Sequence, residues 1–126
     1  MSDHLGLGLS HQDWYAAESR LRDILAASHL CAHITSKGEP AFFDPGPAGA
    51  ILRAAAHKQI EIMGEASGAL PSAVRGALPQ VEWRQLIAMR NRLAHDYPNA
   101  DHLIVWRVIT ARAAHIAAQI RAFLAE

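Results

Sequence analysis

One cysteine, Cys31, stands among the 126 residues of this chain. A single thiol excludes an intrachain disulfide and fits a reducing compartment. Net charge is also missing, since twelve basic residues balance twelve acidic ones. That excludes a sequence-blind positive cloud over nucleic acid, so any phosphate contact must come from a local cluster. No uninterrupted apolar segment approaches the roughly 20 residues that cross a bilayer. The N-terminus, MSDHLGLGLS, lacks the basic region and apolar run of a signal peptide. A soluble, cytoplasmic chain with no membrane partner is expected. The sequence holds no internal repeat, no low-complexity tract and no convincing alternating strand. It also lacks a glycine-rich phosphate loop, a nucleophile elbow and a paired-carboxylate signature, so it gives no ground for the chemistries those motifs carry.

What is present is apolar and helical. The hydrophobic fraction is 51%, enough for one folded domain over residues 1–126 with a real core. The first ten residues are expected to be flexible. Ser10 is a candidate cap for a helix over about 11–33, with Trp14, Ala17, Leu21, Ile24, Ser28 and Cys31 at three- and four-residue spacing. The segment TSKGEPAFFDPGPAG breaks it, and Phe42 and Phe43 are expected to tuck beneath that loop. A second helix is expected over about 48–69, with Leu52, Ala56, Ile60 and Met63 buried and Gly64 allowing another helix close. Pro71 and Pro79 bracket a short turn or helical piece. A third helix spans about 82–95 and ends before Pro98, because the residue preceding proline is pushed out of helical geometry. Asp101 caps a last helix running nearly to Glu126, with Val105, Ile109, Ala113, Ile116, Ile120 and Phe123 inward. The expected fold is therefore an all-α bundle of four main helices plus a short connecting helix.

Most candidate sites are weak. His29 and His33 are four apart, a spacing that can hold a metal, but no third ligand is evident and Cys31 points elsewhere on the helix. No metal is expected. Cys31 lies on an apolar face without an activating neighbour, so it is no nucleophile. The other histidines, including His57 and His102, read as surface or satisfied polar residues.

Ten of the twelve basic residues are arginines, which suits planar, bidentate contact with phosphate or carboxylate. The stretch MRNRLAHDYPNAD (89–101) concentrates polar groups at one helix end. Asn91 and His95 are four apart and share a face, so the amide can orient the imidazole. Arg90 is five before His95, about 140° round a helix, and the two heads meet only because His95 sits in the last turn and Arg90 is long. Arg92 adds a second guanidinium. Tyr97 lies beyond the helix with its hydroxyl accessible. Geometry alone also fits a structural role, with His95 interacting with the helix dipole and Asp96 pairing with an arginine.

The stretch IEIMGEASGALPSAVRGALPQVEWRQLIAMRNRLAHDYPNADHLIVWRVI resembles the HepT-like branch of the HEPN domains. That family's motif is an arginine, four to six residues, then a histidine, with a tyrosine two positions further on. This chain shows Arg90, four residues, His95, Asp96 and Tyr97, with polar Asn91 after the arginine. The upstream IMGEA and WRQLIAMRN and the VW of the last helix also look like the family. The resemblance is strong over about 60–109 and weak before Ala48.

The resemblance implies a HEPN-like bundle acting as a homodimer and a metal-independent endoribonuclease toxin of a HepT–MNT module, needing no cofactor. It implies Arg90 and His95 as the catalytic pair, Asn91 and Arg92 in support, and RNA as substrate. It also implies a minimal nucleotidyltransferase antitoxin, the MNT partner, which transfers AMP to Tyr97. A non-catalytic helical subunit that partners such a nucleotidyltransferase, or binds a nucleotide, is the alternative.

Overall fold

The computed structural model describes residues 6–96 and 101–125. In these the chain forms α1 (His11–Ser36), α2 (Glu39–Phe42), α3 (Pro47–Ala69), α4 (Ser72–Ala77), α5 (Trp83–Asp96) and α6 (His102–Arg107). A π-helical turn (Val108–Arg112) and α7 (Ala113–Ala125) follow. The last three run on as one rod, His102–Ala125. The four long rods match the expected main helices, and no strand occurs among the described residues.

Ser10 caps α1 as its residue type predicts, the hydroxyl accepting from the Asp13 amide at 3.0 Å. The α1 stripe of Trp14, Ala17, Leu21, Ile24, Ser28 and Cys31 is buried throughout. It packs against α3 and α7, and Ser28 donates to the Ala113 carbonyl at 3.0 Å. Residues 1–5 lie outside the described residues. Of the rest of the segment expected to be flexible, Leu7 and Leu9 pack against the core.

The proline-rich segment is more ordered than its composition suggests. It contains the one-turn helix α2, whose first turn holds Pro40 and whose cap is Gly38, with a φ of 90° that suits glycine. Phe42 is fully buried, its ring centroid 4.9 Å from that of Trp106. Arg53 of α3 donates to the carbonyls of Phe42 (2.9 Å) and Asp44 (2.8 Å). The loop is thus a clamp, tied at one end by an aromatic contact and at the other by a guanidinium.

By length and composition alone the His102–Ala125 rod is apolar enough to cross a membrane, although its apolar residues are interrupted along the sequence. In the bundle its stripe of Val105, Ile109, Ala113, Ile116, Ile120 and Phe123 is buried. The π turn interrupts its hydrogen-bond ladder, and the Thr110 hydroxyl takes up the Trp106 carbonyl at 2.7 Å.

Helices α3 and α5 make the most extensive contact in the bundle. They cross at Gly64, where the Leu86 carbonyl lies 2.8 Å from the point a side-chain carbon would occupy and the stem of Arg90 is closer still. This is the close approach that the glycine predicts. It fixes where Arg90 leaves its helix.

Candidate functional site

The polar cluster sits on the last turns of α5. At about 100° per residue, that helix presents three different faces. Leu86 and Arg90 lie against Gly64 of α3, and Leu93 is buried beyond them. Arg84, Ala88, Asn91 and His95 are exposed. Gln85, Met89 and Arg92 line a groove against α6.

Arg90 is half-buried. Its stem is held by the Gly64 crossing, and its Nε is buried without a hydrogen-bond partner among the described residues. The free end emerges beside Asn91, and Nη1 donates to Asn91 Oδ1 at 3.2 Å. The sequence suggested that the Asn91 amide orients His95. Here it orients Arg90 instead, because the stem of the arginine is fixed next to it and a cationic donor is the stronger partner. His95 is exposed, and its side chain makes no hydrogen bond among the described residues. Arg90 and His95 do not hydrogen-bond to each other within one chain, as their separation of about 140° explains. Arg92 is exposed and without an ion pair among the described residues. Tyr97 and Pro98 lie outside the described residues.

The remaining candidates sort cleanly. Arg121 donates to His29 Nε2 at 3.4 Å, an unsuitable setting for a second cation, and no group of three or more potential metal-ligating side chains forms among the described residues. Cys31 is fully buried, and burial pushes its thiol up to about 12. It is a core residue and holds no thiolate near neutrality.

Two features of the structure were not anticipated from the sequence motifs. His57 of α3 is buried and meets His102, the first residue of α6, with Nε2 and Nδ1 3.5 Å apart. Burial, and secondarily the charge of His102, holds the His57 imidazole below its ordinary range. The two are 45 positions apart and carry no motif, so only the packing of α6 on α3 pairs them. The second feature is arginine placement. Residues 84–112 hold five of the ten arginines and only two of the twelve acidic residues. Arg92, Arg107 and Arg112 converge on the groove between α5 and the last rod. Counting charge along the sequence could have found the asymmetry, but not the convergence.

Fold and site together define an all-α bundle that sets an arginine and a histidine at one helix end. The family described as Ribonuclease HepT-like matches residues 26–123. The match takes in the C-terminal part of α1, residues 26–36, and the proline-rich loop, where the sequence resemblance was weak. A Thermococcus cleftensis protein named "Probable ribonuclease HepT" is 30% identical over 102 residues, covering 79% of this chain and 83% of the relative. A Methanocaldococcus jannaschii protein, named as a candidate RNase, is 32% identical over 59 residues. That alignment covers 47% of this chain and about half, 54%, of the relative. A candidate RNase of Caldanaerobacter subterraneus subsp. tengcongensis is 30% identical over 74 residues, 59% of this chain and 66% of the relative. No solved structure matches the chain. This chain belongs to the HepT-like ribonuclease family.

Proposed function

We propose that the protein is an endoribonuclease toxin that cleaves RNA without a metal, using Arg90 and His95 in a cleft between two copies of the chain. The observation that carries this reading is the contrast at the end of α5 in a chain of this family. Arg90 is anchored at the Gly64 crossing with its guanidinium projecting beside Asn91, while His95 is exposed one turn further on.

The chemistry suits those two groups. RNA carries its own nucleophile, the 2′-hydroxyl. A base removes its proton, the 2′-oxygen bonds to phosphorus, and the bond from phosphorus to the 5′-oxygen breaks. The products are a 2′,3′-cyclic phosphate and a 5′-hydroxyl, whose oxygen takes a proton from an acid. Imidazole titrates near neutrality and serves either role, contributing about 10²–10⁴-fold in rate. Arg90 stabilises the added charge on the phosphate. Each chain offers one such histidine, at the far side of its helix from Arg90. A twofold pair brings two copies of each to one cleft, with one His95 as base and the partner subunit's His95 as acid.

A nucleotidyltransferase antitoxin that attaches AMP to Tyr97 fits the same site. The added phosphate would compete for the guanidinium contacts that RNA needs.

The test uses the purified full chain and labelled RNA. Cleavage is expected to persist in EDTA and to leave cyclic phosphate ends, and His95→Ala and Arg90→Ala are each expected to abolish it with unchanged circular dichroism. Cleavage by His95→Ala at the wild-type rate would refute the assignment.

A further inference from the structure

The groove between α5 and the last rod has about 330 Å³ of space, at the lower end of ligand-pocket size (about 300–1,000 Å³). Its floor is apolar, with Met89, Ile104 and Val108, and its walls are cationic. Arg92 stands on the α5 side, with Arg107 and Arg112 on the other.

The π turn is what aligns the second wall. In an α-helix, residues five apart point about 140° away from each other. Arg107 and Arg112 are five apart, but the intervening segment Val108–Arg112 is π-helical, with its bonds closing from i to i+5. Residue i+5 therefore comes round nearly over residue i, and both arginines reach one groove.

The charges there are incompletely neutralised. Arg112 lies 3.6 Å from Glu82 and hydrogen-bonds Gln85. Arg92 and Arg107 are exposed, and neither has an ion pair among the described residues. In a chain of zero net charge, this local excess of cations is a placement that only an anion complements. The groove is also continuous with the site. Arg92 lies three residues before His95, so the two share the last turns of α5.

We propose that this groove is a track for single-stranded RNA, holding backbone phosphates between Arg92 and the Arg107–Arg112 pair while a base rests on the apolar floor. The inference rests on the ribonuclease reading and extends it: a strand cut at Arg90 and His95 continues past Arg92 into the groove. An apolar floor with guanidinium walls binds any base sequence, so the track gives affinity and register rather than sequence choice.

The test is fluorescence anisotropy of a labelled, mixed-sequence 12-nucleotide RNA. The protein is the full chain carrying His95→Ala to prevent cleavage, with salt varied. Arg107→Gln is expected to weaken binding several-fold. It should reduce the slope of log affinity against log salt by about 0.7, the amount one single-strand phosphate contact contributes. Arg107→Gln with Arg112→Gln is expected to reduce it about twice as much. Arg22→Gln, on the exposed face of α1 where Arg22 pairs with Glu18, is expected to change neither quantity. In a chain with His95 intact, Arg107→Gln is expected to raise KM and leave kcat unchanged.

If the His95→Ala chain binds the RNA and the double variant binds it with the same affinity and slope, the track is refuted while the ribonuclease reading stands. If wild type neither binds nor cleaves RNA, both fall. If the double variant instead changes the mass in light scattering, the groove is a seam between copies and the track is refuted.

Discussion

Gly64 and Arg90 meet where α3 crosses α5, with no room for a side chain between them. Alanine at position 64 would press on the Leu86 carbonyl and the Arg90 stem, neither of which is a flexible tip. Overpacking costs about 1–3 kcal/mol, offset by about 1 kcal/mol of helix propensity. Gly64→Ala is therefore expected to lower Tm by a few degrees and, because Arg90 must move, to reduce RNA cleavage at least tenfold. Thermal melts and single-turnover cleavage measure both. Cleavage unchanged in a destabilised variant would separate the crossing from the site.

Asn91 accepts from Arg90 and does not pair with His95. Losing one such bond costs about 0.5–1.5 kcal/mol, so Asn91→Ala is expected to lower kcat roughly 3–10-fold. The NMR resonances of the His95 imidazole are expected to stay where they were. Displaced resonances would mean that the amide orients the imidazole after all.

His57 is buried against His102, and its proton affinity is lowered by burial and then by that neighbour. A lowered folded-state pKa means that the folded chain resists a proton which the unfolded chain accepts at about pH 6.5. Its contribution to stability is thus complete above that value and is lost as pH falls below it, through the folded pKa. Wild type is expected to lose more Tm than His57→Gln between pH 7 and pH 5. Parallel melting curves for the two proteins would refute this.

Cys31 is fully buried, with its thiol pushed up to about 12. Ellman's reagent at pH 8 is expected to leave the native chain unlabelled and to titrate one thiol in denaturant. Rapid labelling of the native chain would mean that α1 opens locally.

Much of this was legible in the sequence because it depends on local chemistry. Ser10 and Asp101 cap helices since their side-chain oxygens reach amides two or three residues on. The α1 stripe follows from a period of 3.6 residues. Gly64 announced a close approach without saying to what. The segment from Met89 to Asp101 marked a site by the density and spacing of its polar groups.

Tertiary packing decided the rest. The sequence could not tell that the Asn91 amide would turn to Arg90, because that depends on where α3 fixes the arginine stem. It could not pair His57 with His102, since 45 residues and two intervening helices separate them. The order within the proline-rich loop rests on Arg53 and Trp106, both outside it. Helical periodicity also places Arg107 and Arg112 on different faces, and a π turn brings them to one groove. A pattern in sequence records spacing along the chain. The site depends on which spacings the packed helices bring into register.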